Sequence, residues 1–277
     1  MISCKEYTEL RKKELKEYIK KEGLKPCLVV IQVGDRPESN SYIRGKMRDC
    51  EEVGIECMIE RFATDVPQTT LAQKILYYDY VPSVSGIILQ LPVPDHIDVK
   101  KIQELINPRK DVDGFNINSP FDPCTPSGVI GYLKHIGYEF EGRDALVIGR
   151  SDIVGKPLAR MLTDLDCTVT LAHSKTDNCV GKMVRLEHDI VFTCIDKIEY
   201  FNLQGFPSYE LDKDFIDIGL GVGEDGKLHG NIHHKSVERI KRYYPERICI
   251  SGTGGVGLLT RLALVENVVK ACEMQKG

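Results

Sequence analysis

The sequence predicts a two-domain α/β protein: an N-terminal α/β domain and a Rossmann-type domain with a doubly wound parallel sheet, with a cleft between them. Continuous apolar runs that read as buried strands alternate with helical segments, which is typical of a parallel sheet covered on both faces. Residues 116–126, rich in Asn, Ser and Pro, interrupt that alternation before it restarts. The length of 277 residues also suits about two domains.

In the first domain, apolar periodicity and glycine stops set the elements in order. The amphipathic segment 5–22 ends at Gly23, the strand 27–33 stops at Gly34, and the helix 39–53 closes at Gly54. The remaining predicted elements of this domain are strand 55–62, helix 67–80 and strand 86–90.

In the second domain we expect helices at 127–136 and 155–164, and strands at 144–149, 167–172, 189–194, 214–218 and 247–250. Segment 256–274 is periodic in Leu and Val and reads as a long helix. We therefore place the domain bounds at 1–122, completed by the C-terminal helix 256–277, and 123–255.

Composition narrows the partners. A net charge of −4 gives no basic field for nucleic acid or an anionic membrane, and the cluster Arg11-Lys12-Lys13 reads as a solvated helix face. The N-terminus has no apolar signal core, and no apolar run approaches the ~20 residues that cross a bilayer. The ten cysteines are scattered without CxxC or zinc spacing, which favours reduced thiols, a cytoplasmic protein and no metal.

Residues 145–157 predict a dinucleotide site. Gly149 allows a tight turn after a strand, and Gly155 begins a helix whose N-terminal N–H groups favour a pyrophosphate. The spacing is Gly-x5-Gly rather than G-x-G-x-x-G, so an ordinary βα turn is the alternative.

The end of the next strand bears on which dinucleotide binds. An enzyme that selects NAD usually has an acid there, whereas this chain has Ala172-His173-Ser174-Lys175-Thr176. Arg150 in the glycine turn, together with a hydroxyl, suits a 2′-phosphate and favours NADP. The alternative is a surface arginine and a turn serine.

A second set of polar residues follows the buried strands of the first domain. Tyr42 and Lys46 stand four apart on one helical face, just beyond the carboxyl end of a strand, where open α/β sheets bind ligands. Gln90 ends another buried strand. Asp111 and Asp113 flank a valine, and one of them could be an Asx-turn residue only.

These segments together resemble the bifunctional methylenetetrahydrofolate dehydrogenase/methenyltetrahydrofolate cyclohydrolase family. The matching motifs occur in family order: 33–35 with Tyr42 and Lys46, 90–94, 110–115, 123–126, 149–151 with 153–155, 173–176, 217–219 and 254–257. The resemblance implies an NADP-dependent oxidation of 5,10-methylenetetrahydrofolate and hydrolysis of the methenyl product to 10-formyltetrahydrofolate. It also implies tetrahydrofolate derivatives as small-molecule substrates, and a homodimer formed through the nucleotide domains.

The resemblance further implies residue roles. Lys46 would be the base or proton relay, neutral because it is desolvated and near like charge, with Gln90 as its hydrogen-bond partner. Tyr42 would stack on the folate and Asp113 would hold the pterin N–H groups. The implied dinucleotide-binding residues are Gly149, Arg150, Ser151, Gly155, Ser174 and Gly255, with Arg150 and Ser174 on the 2′-phosphate.

The chain departs from the family pattern in a shortened segment 115–123 and an altered glycine turn 251–258. Two alternatives follow from these departures and from the two-domain plan. One is a non-catalytic or single-activity relative that binds folate or nucleotide. The other is a two-domain NADP dehydrogenase of another small substrate such as shikimate, which would not require Tyr42 and Gln90.

Overall fold

The computed structural model describes residues 2–184 and 187–276. The chain forms two compact units. We call them the three-stranded unit, Glu6–Cys124 with Thr260–Gly277, and the five-stranded unit, Met1–Lys5 with Thr125–Leu259. The proposed domain bounds differ from these units at the N-terminus, because Tyr132 in the five-stranded unit donates a hydrogen bond to the carbonyl of Ile2 (2.7 Å). As functional bounds they stay a prediction, and their outermost residues 1 and 277 lie outside the described residues.

In the three-stranded unit, a parallel sheet of order β2-β1-β3 carries the helices. Strand β1 is buried at every position, as expected for a strand covered on both faces. The helices are α1 Cys4–Lys21, α2 Pro37–Val53, α3 Gln68–Tyr80, α4 Val99–Glu104 and α9 Gly257–Met274, and the strands are β1 Cys27–Val33, β2 Glu56–Phe62 and β3 Gly86–Gln90. Helix α2 begins two residues before the predicted start, since Pro37 suits a first helical turn.

The prediction that Arg11, Lys12 and Lys13 form a solvated face is wrong for Lys12. Its ammonium group is buried and lies 3.2 Å from the Asp49 carboxylate on α2. Arg11 pairs with Glu266 of α9 at 2.9 Å. Charge alone could not reveal this, because both acidic partners lie far away in sequence and on other helices.

In the five-stranded unit, a parallel sheet of order β10-β7-β6-β4-β5 confirms the predicted Rossmann-type arrangement. An antiparallel hairpin, β8-β9, was not predicted. The helices are α5 Cys124–His135, α6 Gly155–Thr163, α7 Cys179–Val184 and α8 His234–Tyr243; the strands are β4 Asp144–Ile148, β5 Thr168–Ala172, β6 Ile190–Thr193, β7 Asp214–Asp217, β8 Leu220–Val222, β9 Leu228–Gly230 and β10 Cys249–Ile250. The predicted strands occur, each within two residues of its expected bounds.

Each unit has its own apolar core, centred on Val29, Ile31 and Ile87 in one case and on Leu146, Val191 and Phe215 in the other. All ten cysteines are free thiols. Within the described residues, no helix combines the length and apolar character needed to cross a membrane. The predicted cytoplasmic location stays a prediction.

Candidate active site and dinucleotide site

In the three-stranded unit, Lys46 and Gln90 meet at the carboxyl end of the sheet. Lys46 lies on α2, which follows β1, and its Nζ donates a hydrogen bond of 3.0 Å to Gln90 Oε1. Gln90 ends β3 and donates its own amide to the carbonyl of Leu91 at 2.7 Å. The glutamine amide is therefore held in one orientation, with its oxygen towards the lysine.

Asp113 belongs to the same neighbourhood. Burial raises the pKa of its carboxyl group, and the nearby Lys46 ammonium and a hydrogen bond from the Cys124 thiol offset part of that rise. We predicted a second positive charge beside Lys46. At this position the neighbouring group is instead the carboxyl group of Asp113, whose charge is negative when it is ionised. Such a pair can pass a proton between the two groups and a bound molecule.

The segment Lys110-Asp111-Val112-Asp113 divides its polar residues between structure and site. Lys110 donates to the carbonyls of Asp79 (2.6 Å) and Val81 (2.9 Å) at the end of α3. Asp111 is buried and its carboxylate accepts a hydrogen bond of 2.7 Å from the Asn116 N–H, five residues further along the chain. Of the two aspartates, Asp113 is therefore the one left for a ligand.

Burial raises the pKa of Asp111 to about 6, although three backbone N–H groups oppose the rise.

Tyr42 stands one helical turn before Lys46 with 44% of its surface exposed. Its ring is available to stack on a flat ligand.

Sequence reasoning missed Gln32. It is buried in β1, accepts from Arg61 Nε (3.2 Å) and donates to Asn40 Oδ1 (2.8 Å). It links the strand to the first turns of α2 and so helps to position the helix that carries Lys46. A polar residue in the otherwise apolar run 27–33 was the available signal.

In the five-stranded unit, the two glycines of the Gly-x5-Gly pattern touch each other. A Cβ on Gly155 would lie 2.1 Å from the Gly149 carbonyl oxygen, and a Cβ on Gly149 would lie 2.3 Å from the carbonyl oxygen of Cys194. Gly149 also has a φ of 130°, which disfavours other residues. The turn between β4 and α6 therefore requires glycine at both positions.

A cavity of about 600 Å³ opens at this turn. Gly149, Arg150, Ser151 and Ser174 line it, as do residues that sequence reasoning did not single out for binding, among them Thr176, Asn178, Lys197 and Tyr200. Its size suits a nucleotide-sized ligand, and its arginine and hydroxyl groups suit phosphate.

Ser151, Gly155 and Gly255 were predicted to bind the dinucleotide, and each makes contacts within the protein that were not expected. The Ser151 hydroxyl accepts from the N–H groups of Val154 (3.2 Å) and Gly155 (3.4 Å), so the expected free N–H groups at the start of α6 are hydrogen-bonded to it. Gly255 lies against Cys4, with a Cβ position 2.4 Å from the Cys4 Cβ. A side chain at position 255 would collide with Cys4, and the φ of 130° also favours glycine. These two constraints explain why the residue is a glycine.

Both parts of the chain match one family. Residues 2–113 match the description "Tetrahydrofolate dehydrogenase/cyclohydrolase, catalytic domain". Residues 123–276 match "Tetrahydrofolate dehydrogenase/cyclohydrolase, NAD(P)-binding domain". The chain belongs to this family. It is therefore an enzyme of the dehydrogenase/cyclohydrolase class with an NAD(P)-binding domain.

Individual relatives agree. The chain is 36% identical over 260 residues to the bifunctional protein FolD of Polaromonas naphthalenivorans, covering 91% of this chain and 89% of that protein. The crystal structure of the bifunctional FolD enzyme of Campylobacter jejuni has a TM-score of 0.87, 34% identity and 98% coverage of both chains. The Trypanosoma brucei enzyme, described as complexed with NADP cofactor and inhibitor, has a TM-score of 0.83 and 25% identity, covering 99% of this chain and 97% of that chain.

The shikimate alternative is not favoured. The shikimate dehydrogenase of Aquifex aeolicus has a TM-score of 0.51 and 12% identity, covering 91% of this chain and 93% of that chain. A likeness at that identity concerns the fold alone.

Proposed function

We propose that this family member oxidises 5,10-methylenetetrahydrofolate with NADP⁺ and hydrolyses the resulting 5,10-methenyltetrahydrofolate to 10-formyltetrahydrofolate. The observation that carries the proposal is the hydrogen bond between Lys46 and Gln90, with Asp113 in the same neighbourhood. A chain that only bound folate would have no need for a lysine oriented in this way.

In the proposed mechanism, Asp113 holds the amino and ring N–H groups of the pterin, a charge-assisted contact. The ring of Tyr42 stacks on the folate. These two contacts orient the substrate so that its one-carbon bridge lies near Lys46.

When bound, NADP⁺ accepts the hydride that leaves the one-carbon bridge, which makes the folate a methenyl cation. In the hydrolysis, the oxygen of a water bonds to the methenyl carbon, one proton is released, and the N5–carbon bond breaks as N5 takes the other proton. The neutral amine form of Lys46 accepts the released proton and becomes an ammonium, and the hydrogen bond from its Nζ to Gln90 Oε1 holds it in position. General base catalysis of this kind typically contributes about 10²–10⁴-fold.

We propose NADP rather than NAD as the dinucleotide. Arg150 and Ser174 line the cavity beside the glycine turn, and the segment 172–176 that follows β5 contains no acid to bind a ribose 2′-hydroxyl. The guanidinium and hydroxyl groups suit the additional phosphate.

A homodimer formed through the nucleotide domains is proposed on the family resemblance, and light scattering of the purified chain tests it.

The direct test is a spectrophotometric assay of the purified chain with methylenetetrahydrofolate and each dinucleotide. We expect reduction of NADP⁺ with a larger kcat/KM than that of NAD⁺, and separately the loss of methenyltetrahydrofolate absorbance in a hydrolysis assay. Folate binding without turnover at saturating substrate would reject the catalytic proposal. Equal use of both dinucleotides would reject only the selection of NADP.

A further inference from the structure

The five-stranded unit contains a second cluster of chemically active side chains. Glu199, His229 and His234 place three ligand atoms within 4.8 Å of one another. His234 Nδ1 lies 2.5 Å from Glu199 Oε1, and His229 Nδ1 lies 3.3 Å from the same oxygen. The three residues line a cavity of about 180 Å³ that is separate from the dinucleotide cavity.

The backbone holds the three segments that supply these side chains. Glu199 follows β6, His229 lies in β9 and His234 is the first residue of α8. The Glu199 N–H donates to the Gly230 carbonyl at 2.7 Å, and the Phe201 N–H donates to the Asn231 carbonyl at 2.9 Å. Glu199 has a φ of 45°, a left-handed conformation that is unfavourable for a glutamate. These hydrogen bonds thus fix the backbone of Glu199 beside the segment that carries His229 and His234.

The contact between His229 and Asp225 points to the same chemistry. His229 Nε2 lies 2.9 Å from Asp225 Oδ1. When Nε2–H donates to that carboxylate, the lone pair of Nδ1 faces Glu199 and His234. Metal-binding histidines almost always donate their second ring N–H to an acceptor in this way, which orients the ring and increases its basicity. Asp225 is therefore an observation independent of the spacing of the three ligands.

We propose that Glu199, His229 and His234 bind a divalent transition-metal ion of the Zn²⁺ class. Ligands at about 2.0–2.1 Å in a tetrahedral site lie roughly 3.3 Å apart, which matches the 3.3 Å between His229 Nδ1 and Glu199 Oε1. His234 would move away from the carboxylate, and its half-exposed side chain permits this. Two imidazoles and one carboxylate suit zinc, cobalt or nickel rather than the oxygen-bound magnesium or calcium.

Without a metal, the same contacts could serve as an ion pair between imidazolium rings and carboxylates. The two states differ in what they bind and in their spectra. The site also escapes sequence rules, because its ligands stand 30 and 5 residues apart and belong to a turn, a strand and a helix. No short spacing motif contains them, which is why the sequence indicated no metal.

The test is a Co²⁺ titration of the full chain after treatment with a chelator, followed by visible absorption, with Zn²⁺ competition measured by calorimetry. We expect one Co²⁺ per chain, with d–d bands but without a thiolate charge-transfer band, displaced by Zn²⁺. His229→Ala and Glu199→Gln should each weaken binding by at least tenfold. Asp225→Asn keeps all three ligands and should weaken it about 10–100-fold.

His135→Ala is the matched control, since His135 is an exposed histidine on α5 and should leave binding unchanged. If His229→Ala fails to fold by circular dichroism, His234→Ala at the exposed start of α8 replaces it. The proposal is overturned if the wild-type chain binds no Co²⁺ at micromolar concentration. It is equally overturned if binding persists in the ligand variants, or carries a thiolate band that assigns the ion to cysteine.

Discussion

The two units prepare for their ligands in different ways. In the three-stranded unit the side chains proposed for catalysis interact with each other: Lys46 donates to Gln90, and the Lys46 charge acts on Asp113. In the five-stranded unit, glycines that permit no side chain shape the turn at the cavity, and Arg150 and Ser174, which line that cavity, are exposed.

The difference matches what each ligand needs. Proton transfer requires a group that is held within a few tenths of an ångström of its target. The positioning gained from contacts between site residues therefore outweighs the free-energy cost of desolvating these polar side chains. A phosphate is bound by charge and by close approach of the backbone, so space and exposed cations matter more. Substitutions should therefore affect rate in one unit and affinity or folding in the other.

The largest effect is expected for Lys46→Met. It removes the proposed base while keeping the length of the side chain, so methenyl hydrolysis should fall by roughly 10²–10⁴-fold in kcat. Stopped-flow or steady-state hydrolysis assays measure this. Lys100→Met, which changes a lysine with 87% of its side chain exposed, is the control and should keep full activity. Unchanged hydrolysis in Lys46→Met would contradict the expectation that substitutions in the three-stranded unit act on the reaction rate.

Gly149→Ala should act on folding. The new Cβ would lie 2.3 Å from the Cys194 carbonyl oxygen, at a φ of 130°, and we expect a loss of about 3 kcal/mol in unfolding free energy. Gly137→Ala is a matched control, because Gly137 has a φ of 80° but nothing within 4 Å of its Cβ position. It should lose only about 1 kcal/mol. Equal losses in urea unfolding would mean that crowding at the turn has no effect.

Arg150→Ala should act on affinity. Loss of a charge-assisted hydrogen bond to the 2′-phosphate should raise KM for NADP⁺ about 10–100-fold, with little change for NAD⁺. Arg160→Ala, on α6 of the same unit, is the comparison for a general loss of positive charge. A similar change for both dinucleotides would place Arg150 away from the 2′-phosphate.

The smallest effect concerns pH. The folded pKa of Asp111 is raised to about 6, so the folded state retains a proton that the unfolded chain releases near pH 4. Its contribution to stability is therefore greatest below pH 4 and declines as pH rises to 6, by on the order of 3 kcal/mol. Asp111→Asn should show a shallower decline in urea unfolding between pH 4 and 6.5. The surface variant Asp95→Asn should keep the wild-type slope.

Much of the fold followed from local pattern. The strands 27–33 and 86–90 matched their predicted bounds because continuous apolar runs ended by Gly or Pro are unambiguous. Helix α8 was missed because its residues are mainly polar, and the hairpin β8-β9 was missed because each of its strands has only three residues.

The sequence predicted which residues belong to the candidate site, but not which contacts those residues make. The sequence placed Gln90 at the end of one strand and Lys46 on the helix that follows another, and sheet geometry then brings such positions to one edge. Local pattern did not separate Asp111 from Asp113; the family resemblance selected Asp113, and the hydrogen bond from Asn116 shows that the Asp111 carboxylate is used for structure. Local pattern also predicted a solvated Lys12, because the partner Asp49 is 37 residues away.

The three-stranded unit is assembled from both ends of the chain. Helix α9 from the last twenty-odd residues supplies Arg261 to Asp49 and Asn267 to the Val112 carbonyl (2.9 Å). During synthesis the segments of the five-stranded sheet are made before α9, so that sheet can form first, whereas the portion that carries Lys46 must wait for α9. A truncation that removes α9 would spare the Rossmann-type sheet and remove the contacts to Asp49 and Val112 from the unit that carries Lys46.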